Sequence, residues 1–400
     1  MNTHMIPNLA KRTVKMMTVG SLAAVAGMAY GQSFSDVLEG LKEGSKASLD
    51  ARARYEYNDT PTSEVNGYSI RTRLALTTGE YEGFQALVEM EDVSFANNDD
   101  RPALDVPTTE LNRIWLSYGG AKLGRQLVAW DDQRFIGHVG WRQNIQTFDA
   151  ITYGVDVADN TALKFGYLDA VHRVNATSQD LTGLLVNSAT KFGSDFTLNA
   201  FAYMLDFDRM VLASSDTYGI RGVGKIPGDE ISYNYSFSYA KQVDNSGSPT
   251  DFDLDYYAGE FGASFAGMSL AAGLEVLDGD GVTGFTTPLA TVHKFNGFAD
   301  AFAGSSLGLG GGLPEGLEDY YVVFGFKAGD VPIKVFYHSF DAANVSDYLG
   351  SEIDVVASYK LNDYVTLIGK FADYSSDGAE NVTYGGVDKQ VLTVEANLKF

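Results

Sequence analysis

From residue 46 onward the chain keeps a period of two. The stretch "EISYNYSFSYAK" sets Ile231, Tyr233, Tyr235, Phe237 and Tyr239 on one side and Ser232, Asn234, Ser236 and Ser238 on the other. "KASLDARARYEY" sets Leu49, Ala51, Ala53, Tyr55 and Tyr57 against Asp50, Arg52, Arg54 and Glu56. "VLTVEANLKF" sets Leu392, Val394, Ala396, Leu398 and Phe400 against Thr393, Glu395, Asn397 and Lys399. Successive side chains of an extended backbone point to opposite faces, so this alternation specifies strands with one apolar and one polar face. Runs of roughly ten residues are long for a soluble sheet and match the ~9–11 that a tilted membrane strand needs. Composition agrees: 23 Tyr, 24 Phe and 43 Gly against only 9 Pro favour strands joined by tight turns.

The connections carry as much information as the strands. Long polar segments such as "NDTPTSEVNG", "AWDDQRFIGHVGWRQNI" and "DAANVSDYLG" alternate with short ones such as "GGA", "DVADN" and "LND". About 18 strands are separated in this way, an even number. One busy rim and one plain rim are what an up-and-down antiparallel barrel produces, with short periplasmic turns and long extracellular loops. Closure removes the sheet edges, whose unpaired N–H and C=O groups lipid cannot satisfy. The fold expected is all-β: a closed transmembrane barrel over residues 46–400. "VLTVEANLKF" is then the closing strand, paired with the first. Its aromatic end at Phe400 resembles the signal that barrel-assembly machinery reads. At about 18 strands the lumen is too wide for side chains to fill, so function concerns passage.

The first residues do not belong to that fold. Lys11, Arg12 and Lys15 precede the apolar run Met16 to Ala29, and Ala29 and Gly31 stand at −3 and −1 of a cleavage point after Gly31. Residues 1–31 are expected to be a secretory signal peptide. Residues 32–45 follow as a short periplasmic segment, in which "FSDVLEGLKEG" fits one short amphipathic helix. No later stretch holds 18 consecutive apolar residues, so a spanning helix is excluded. The location that follows is the outer membrane of a Gram-negative-type cell, in contact with its lipid.

The chain is acidic, with 29 Lys+Arg against 52 Asp+Glu, the opposite of a nucleic-acid binder. The polar member of each strand pair is expected to face the lumen. There Arg52, Arg54, Arg71 and Arg73 become neighbours across one hairpin, and Arg113 follows on the fourth strand. Arg125 lies on the fifth, where the alternation does not fix its direction. Arg134 and Arg142 lie in the next long loop, and no arginine occurs after Arg221. Guanidinium forks bind carboxylates bidentately, so such a wall suits an anionic solute moving from site to site. Asp50, Glu56, Gln85, Glu89 and Glu91 share the wall, and plain charge compensation across strands is the competing reading.

The very long segment between Leu277 and Leu317 places Phe295, Phe298 and Phe302 beside His293, Lys294, Asn296 and Asp300, and then runs through "GSSLGLGGGL". Folded inward, it would constrict the lumen together with Trp141 and offer an aromatic shelf for sugars; folded outward, it would be an extracellular lid.

"SLDARARYEY" and "LGRQLVAWDDQRFIGHVGWRQNIQTFDA" resemble the alginate-export-like outer-membrane porin family. The likeness rests on Gly124, Arg125, Gln126, Asp132, Arg134, Gly137, Trp141, Arg142, Phe148 and Asp149, and extends to "TVHKFNGFAD" and "FYHSFDA". The resemblance implies an 18-stranded barrel with an arginine-rich pore for anionic polysaccharide and inward loops as constrictions. It makes Arg125, Arg134 and Arg142 the foremost pore candidates.

Other chemistry finds little support. His138, His172, His293 and His338 are dispersed without metal-binding spacing, and there is no cysteine. His338 and Ser339 are adjacent in a strand, so they point to opposite faces and cannot act as base and nucleophile. "DGDG" at 278–281 lacks the downstream ligands of a calcium loop and reads as a turn. The function expected is a channel for small or oligomeric anionic solutes, among them uronate-type saccharides, with no enzyme activity, cofactor or metal. The alternative is a structural or adhesive barrel with a blocked lumen whose acidic loops bind partners.

Overall fold

The computed structural model describes residues 39–96, 105–308, 310–345, 347–377 and 386–400. The expected signal peptide and its cleavage point lie outside the described residues. Of the expected N-terminal helix, a single helical turn is described, over 39–42.

Eighteen strands follow: β1 (Lys46–Thr60), β2 (Ser63–Thr77), β3 (Phe84–Phe95), β4 (Thr108–Tyr118), β5 (Ala121–Gln126), β6 (Thr147–Ala158), β7 (Thr161–His172), β8 (Ser178–Phe192) and β9 (Phe196–Phe207) make one half. The other half is β10 (Ser215–Ile226), β11 (Ile231–Val243), β12 (Asp253–Phe265), β13 (Met268–Leu277), β14 (Leu317–Ala328), β15 (Val331–Asp341), β16 (Tyr348–Lys360), β17 (Val365–Ser376) and β18 (Lys389–Lys399). Each strand pairs antiparallel with its sequence neighbours, and β18 pairs back onto β1 with Ala396 opposite Ala53. Phe400 completes the seam, exchanging two backbone hydrogen bonds of 2.8 Å with Leu49. No edge is left, which is the condition for a sheet in lipid.

The apolar residues of the alternation form the outer face. Tyr68, Ile70 and Leu74 of β2, Ile151 and Tyr153 of β6, and Leu392 and Val394 of β18 are exposed, as lipid contact requires. The long and short connections sort to opposite rims, with one revision. The first "long" segment is a two-residue turn at 61–62, because β1 and β2 continue in register up to Thr60 and Ser63. The polar run there decorates a protruding hairpin; it is not loop.

The expectation that the inner face is polar holds at the arginine wall, at Glu352 and Asp354 of β16 and at Glu395 and Asn397 of β18, and fails on β9. Phe201, Tyr203, Leu205 and Phe207 occupy the inward register of β9 and are buried. What buries them is chain inside the barrel. The loops 127–146 and 278–316 both fold inward, and Val128, Trp130, Ile136, Phe285, Leu289 and Phe302 pack with those residues and with Phe340 and Tyr374 in one hydrophobic core. The barrel thus contains an inner body, and burying apolar surface at about 25 cal/mol per Å² is what holds it against the wall. The two loops are zipped to each other by Gly137 N to Leu289 O at 2.8 Å, Thr291 N to Gln133 O at 3.0 Å and Gln146 Nε2 to Leu289 O at 3.1 Å.

Candidate functional site

The inner body meets the barrel at the arginine wall. In β1 and β2, Arg52 stands directly opposite Arg71, and Arg73 opposite Asp50. Strand pairing alone therefore forces like charges together, and the surrounding groups answer it. Arg52 donates to Trp141 O at 2.8 Å, Arg142 O at 3.1 Å and Gly140 O at 3.2 Å, and to Asn397 Oδ1 at 2.7 Å. Arg54 also holds Trp141 O, and is bound by Glu395 at 2.6 Å, with Glu56 and Asp105 at 3.4 Å. Arg73 binds Glu91 and donates to Gln143 O at 3.1 Å. The backbone of residues 140–143 is thus clasped by guanidinium groups, and charge-assisted bonds of this kind are about twice as strong as neutral ones.

Most of the wall is charge-compensated. Arg113 is held in a fork by Glu89. Arg142 sits among Glu56 at 3.3 Å, Asp300 at 3.5 Å and Asp105 at 3.8 Å, and covers the Trp141 ring at 4.0 Å. Arg71 is the exception. Its Nη2 binds Asp50, but its Nε and Nη1 have no hydrogen-bond partner among the described residues, although the residue is only 1% exposed. The indole N–H of Trp141 is likewise unpartnered. Buried donors are almost always satisfied, so these call for a water or a solute oxygen.

The three foremost pore candidates separate. Arg142 is at the wall. Arg134 is enclosed at 1% exposure, bonded to Glu275 at 2.7 and 3.2 Å, Asn296 at 3.2 Å and Thr287 at 3.3 Å, with Phe295 beneath it at 4.8 Å. It rivets both inward loops to β13 and offers nothing to a solute. Arg125 pairs in register with Ile114 and Asp149, and its neighbour Gln126 is the residue that turns inward, toward Thr152. Arg125 therefore lies on the outer face, forked by Asp149, which also binds His172 at 3.0 Å. Six residues, "AKLGRQ", were too short a run to reveal that parity.

The constriction candidates come together around an aromatic stack. Trp141 lies on His293 at 3.3 Å and 15°, and Phe298 follows His293 at 5.1 Å. Lys294 is exposed and reaches Asp132 O at 2.8 Å. Asn296 donates to Glu275 at 2.7 Å and Asp319 at 3.1 Å. Lys370 of β17, which the sequence reading passed over, approaches His293 Nε2 at 3.0 Å and faces the Trp141 and Phe298 rings. His293 Nδ1 is 3.1 Å from Asp300. A neutral imidazole satisfies both neighbours, accepting from the ammonium and donating to the carboxylate. Burial pushes the His293 pKa down to about 4, which keeps it neutral. Burial alone would raise the Asp300 carboxyl, but His293 and Arg142 beside it hold it below the usual range.

The loop reaches β16 through two carboxylates: Ala299 N donates to Glu352 at 2.6 Å and Phe298 N to Asp354 at 3.1 Å. The Asp280 carboxylate of "DGDG" accepts from Val282 N and Thr283 N at 2.8 and 2.7 Å, as a turn residue does. No group of His and acidic residues suited to a metal ion occurs among the described residues.

The family model described as alginate export matches residues 45–277, more than half of the chain. No match is found among curated protein sequences. Among solved structures, Acinetobacter baumannii OccAB2 superposes with a TM-score of 0.72 at 14% identity, over 90% of this chain and 99% of that one. Pseudomonas aeruginosa OccK2 (OpdF) in complex with glucuronate gives 0.71 at 15%, over 90% and 100%. Pseudomonas aeruginosa OpdK with vanillate gives 0.69 at 16%, over 90% and 100%.

Proposed function

Because the chain belongs to the alginate export family, we propose that its porin-like barrel is an outer-membrane channel for passive passage of small or oligomeric anionic solutes, uronate-type saccharides among them. The observation that carries this reading is Arg71, a guanidinium with two unpartnered N–H donors directly opposite Arg52. With Nη2 held by Asp50, Nε and Nη1 lie on different edges of the guanidinium, so each takes a separate solute oxygen by a charge-assisted bond. Trp141 adds an unpartnered N–H, while its ring is covered by His293 and Arg142 and so is not the shelf for sugars that the sequence suggests. Two barrels of the same fold were solved with small carboxylates, glucuronate and vanillate.

Planar-bilayer recording of the purified protein tests it. The expected result is single-channel current with reversal potentials favouring anions, and block by oligouronates that neutral oligosaccharides of equal size do not cause. Arg71→Gln should weaken that block about tenfold or more, the effect of losing a charged hydrogen bond of ~1.5–3 kcal/mol. The rival, a barrel sealed by its inner body, predicts no current. Cation-favouring reversal potentials would remove the anion assignment.

A further inference from the structure

The lysines follow a rule that the arginines do not. Lys46, Lys164, Lys191, Lys327, Lys334 and Lys399 all lie within a few residues of the rim that carries the short turns, on β1, β7, β8, β14, β15 and β18. Each occupies the inward register of its strand. Lys164 alternates with the lipid-exposed Phe165 and Tyr167, Lys191 continues the inward set of Leu185 and Asn187, and Lys334 precedes inward Phe336 and His338. They are not interfacial lysines reaching for lipid headgroups.

All six are exposed, and none has a carboxylate within 4.0 Å among the described residues. Lys225 and Lys360 share the same position but are taken up by Asp195 and Asp363 of the adjoining turns. The turns below the ring carry acidic residues of their own at the rim itself, Glu80, Glu82, Asp159, Asp229, Glu230 and Asp330. The loop rim is the reverse: Asp59, Glu64, Asp180, Asp206, Asp251 and Asp347 stand there without a cationic partner among the described residues. The barrel therefore has an axial charge gradient, strongly acidic at the loop mouth and brought close to balance at the turn mouth by lysines placed just inside the acidic turns.

We propose that the turn-side vestibule is an anion-collecting ring, so that the channel captures carboxylate solutes faster from the periplasmic side than from the outside. This rests on the anion-channel reading and adds sidedness to it. A passive channel cannot set the direction of net flow. A charged vestibule with low-dielectric walls does raise the local concentration of counter-ions and the rate of entry. Lysine suits the task as a mobile point charge that attracts without fixing geometry, whereas the paired arginines at the waist are immobile.

The experiment measures the on-rate of block by a short oligouronate added to either chamber. Orientation is assigned by one-sided thiol labelling of Asp251→Cys, which is clean because the protein has no cysteine. At 0.1 M salt the on-rate from the turn side should exceed that from the loop side by roughly threefold or more. At 1 M, where the Debye length shrinks from about 10 Å to 3 Å, the ratio should approach one. The triple variant K164Q/K191Q/K334Q should lose the asymmetry while keeping the block itself. Equal on-rates in the unmodified protein, or an asymmetry unchanged in the variant, overturn the ring and leave the anion channel standing. No block from either side overturns both.

Discussion

Arg134→Ala tests whether the inner body is held as described. Arg134 is the enclosed contact shared by both inward loops and the barrel wall, through Glu275, Asn296 and Thr287. Its removal leaves the Glu275 carboxylate buried, with the Tyr256 hydroxyl at 2.7 Å and the Asn296 amide at 2.7 Å as its remaining donors among the described residues. Breaking a buried ion pair from one side costs ~3–5 kcal/mol. At 1.4 kcal/mol per decade this shifts the ratio of docked to undocked loops by about two to three and a half orders of magnitude. The barrel itself, closed by backbone ladders, should survive and remain heat-modifiable on gels. Trypsin cleavage after Lys294 in the detergent-solubilised protein reports docking, because the neighbouring backbone must leave the wall to enter a protease. Cleavage should accelerate in Arg134→Ala and in Glu275→Gln. The paired variant R134M/E275Q, which leaves no stranded charge, should recover much of the protection. Open-channel current should become noisier in step. Unchanged cleavage and noise would refute the rivet. So would weakened oligouronate block with loop protection intact, because Arg134 would then be touching solute.

Acidification should loosen the same loops. The docked His293 has a pKa of about 4 against an ordinary 6.5, so the undocked form binds the proton first. Its contribution is complete above pH 6.5 and falls as pH drops to about 4, by up to about 3 kcal/mol; tryptic cleavage should rise over that window, and less so in His293→Gln. Gly284→Ala should unseat the 278–316 loop, because a Cβ there overlaps the backbone N and O of Leu313, which cannot rotate away; the measurement is again Lys294 protection, and full protection would contradict the packing. Deleting Phe400 removes both hydrogen bonds to Leu49 at the β1–β18 seam and should lower the yield of heat-modifiable barrel without altering the conductance of the molecules that assemble.

The period of two, the rhythm of connections and the amphipathic run ending at Phe400 sufficed for strand type, strand number and closure. These are properties of extended backbone and of a solvent that forbids open edges, so they are written locally. The clustering of Arg52, Arg54, Arg71 and Arg73 followed from the same alternation across one hairpin. What each arginine does was not local. Arg134 and Arg142 sit in one loop, yet one is sealed against Glu275, 141 residues away, and the other faces Trp141 among partners on other elements, such as Glu56, 86 residues away. Arg125 turned outward because the short β5 takes its parity from Ile114 and Asp149. The apolar inner face of β9 made no sense for an empty lumen and became necessary once two loops packed there. Alternation specifies two faces of a strand; only the tertiary structure decides what each face meets, because that depends on chain far away in sequence folding into the barrel.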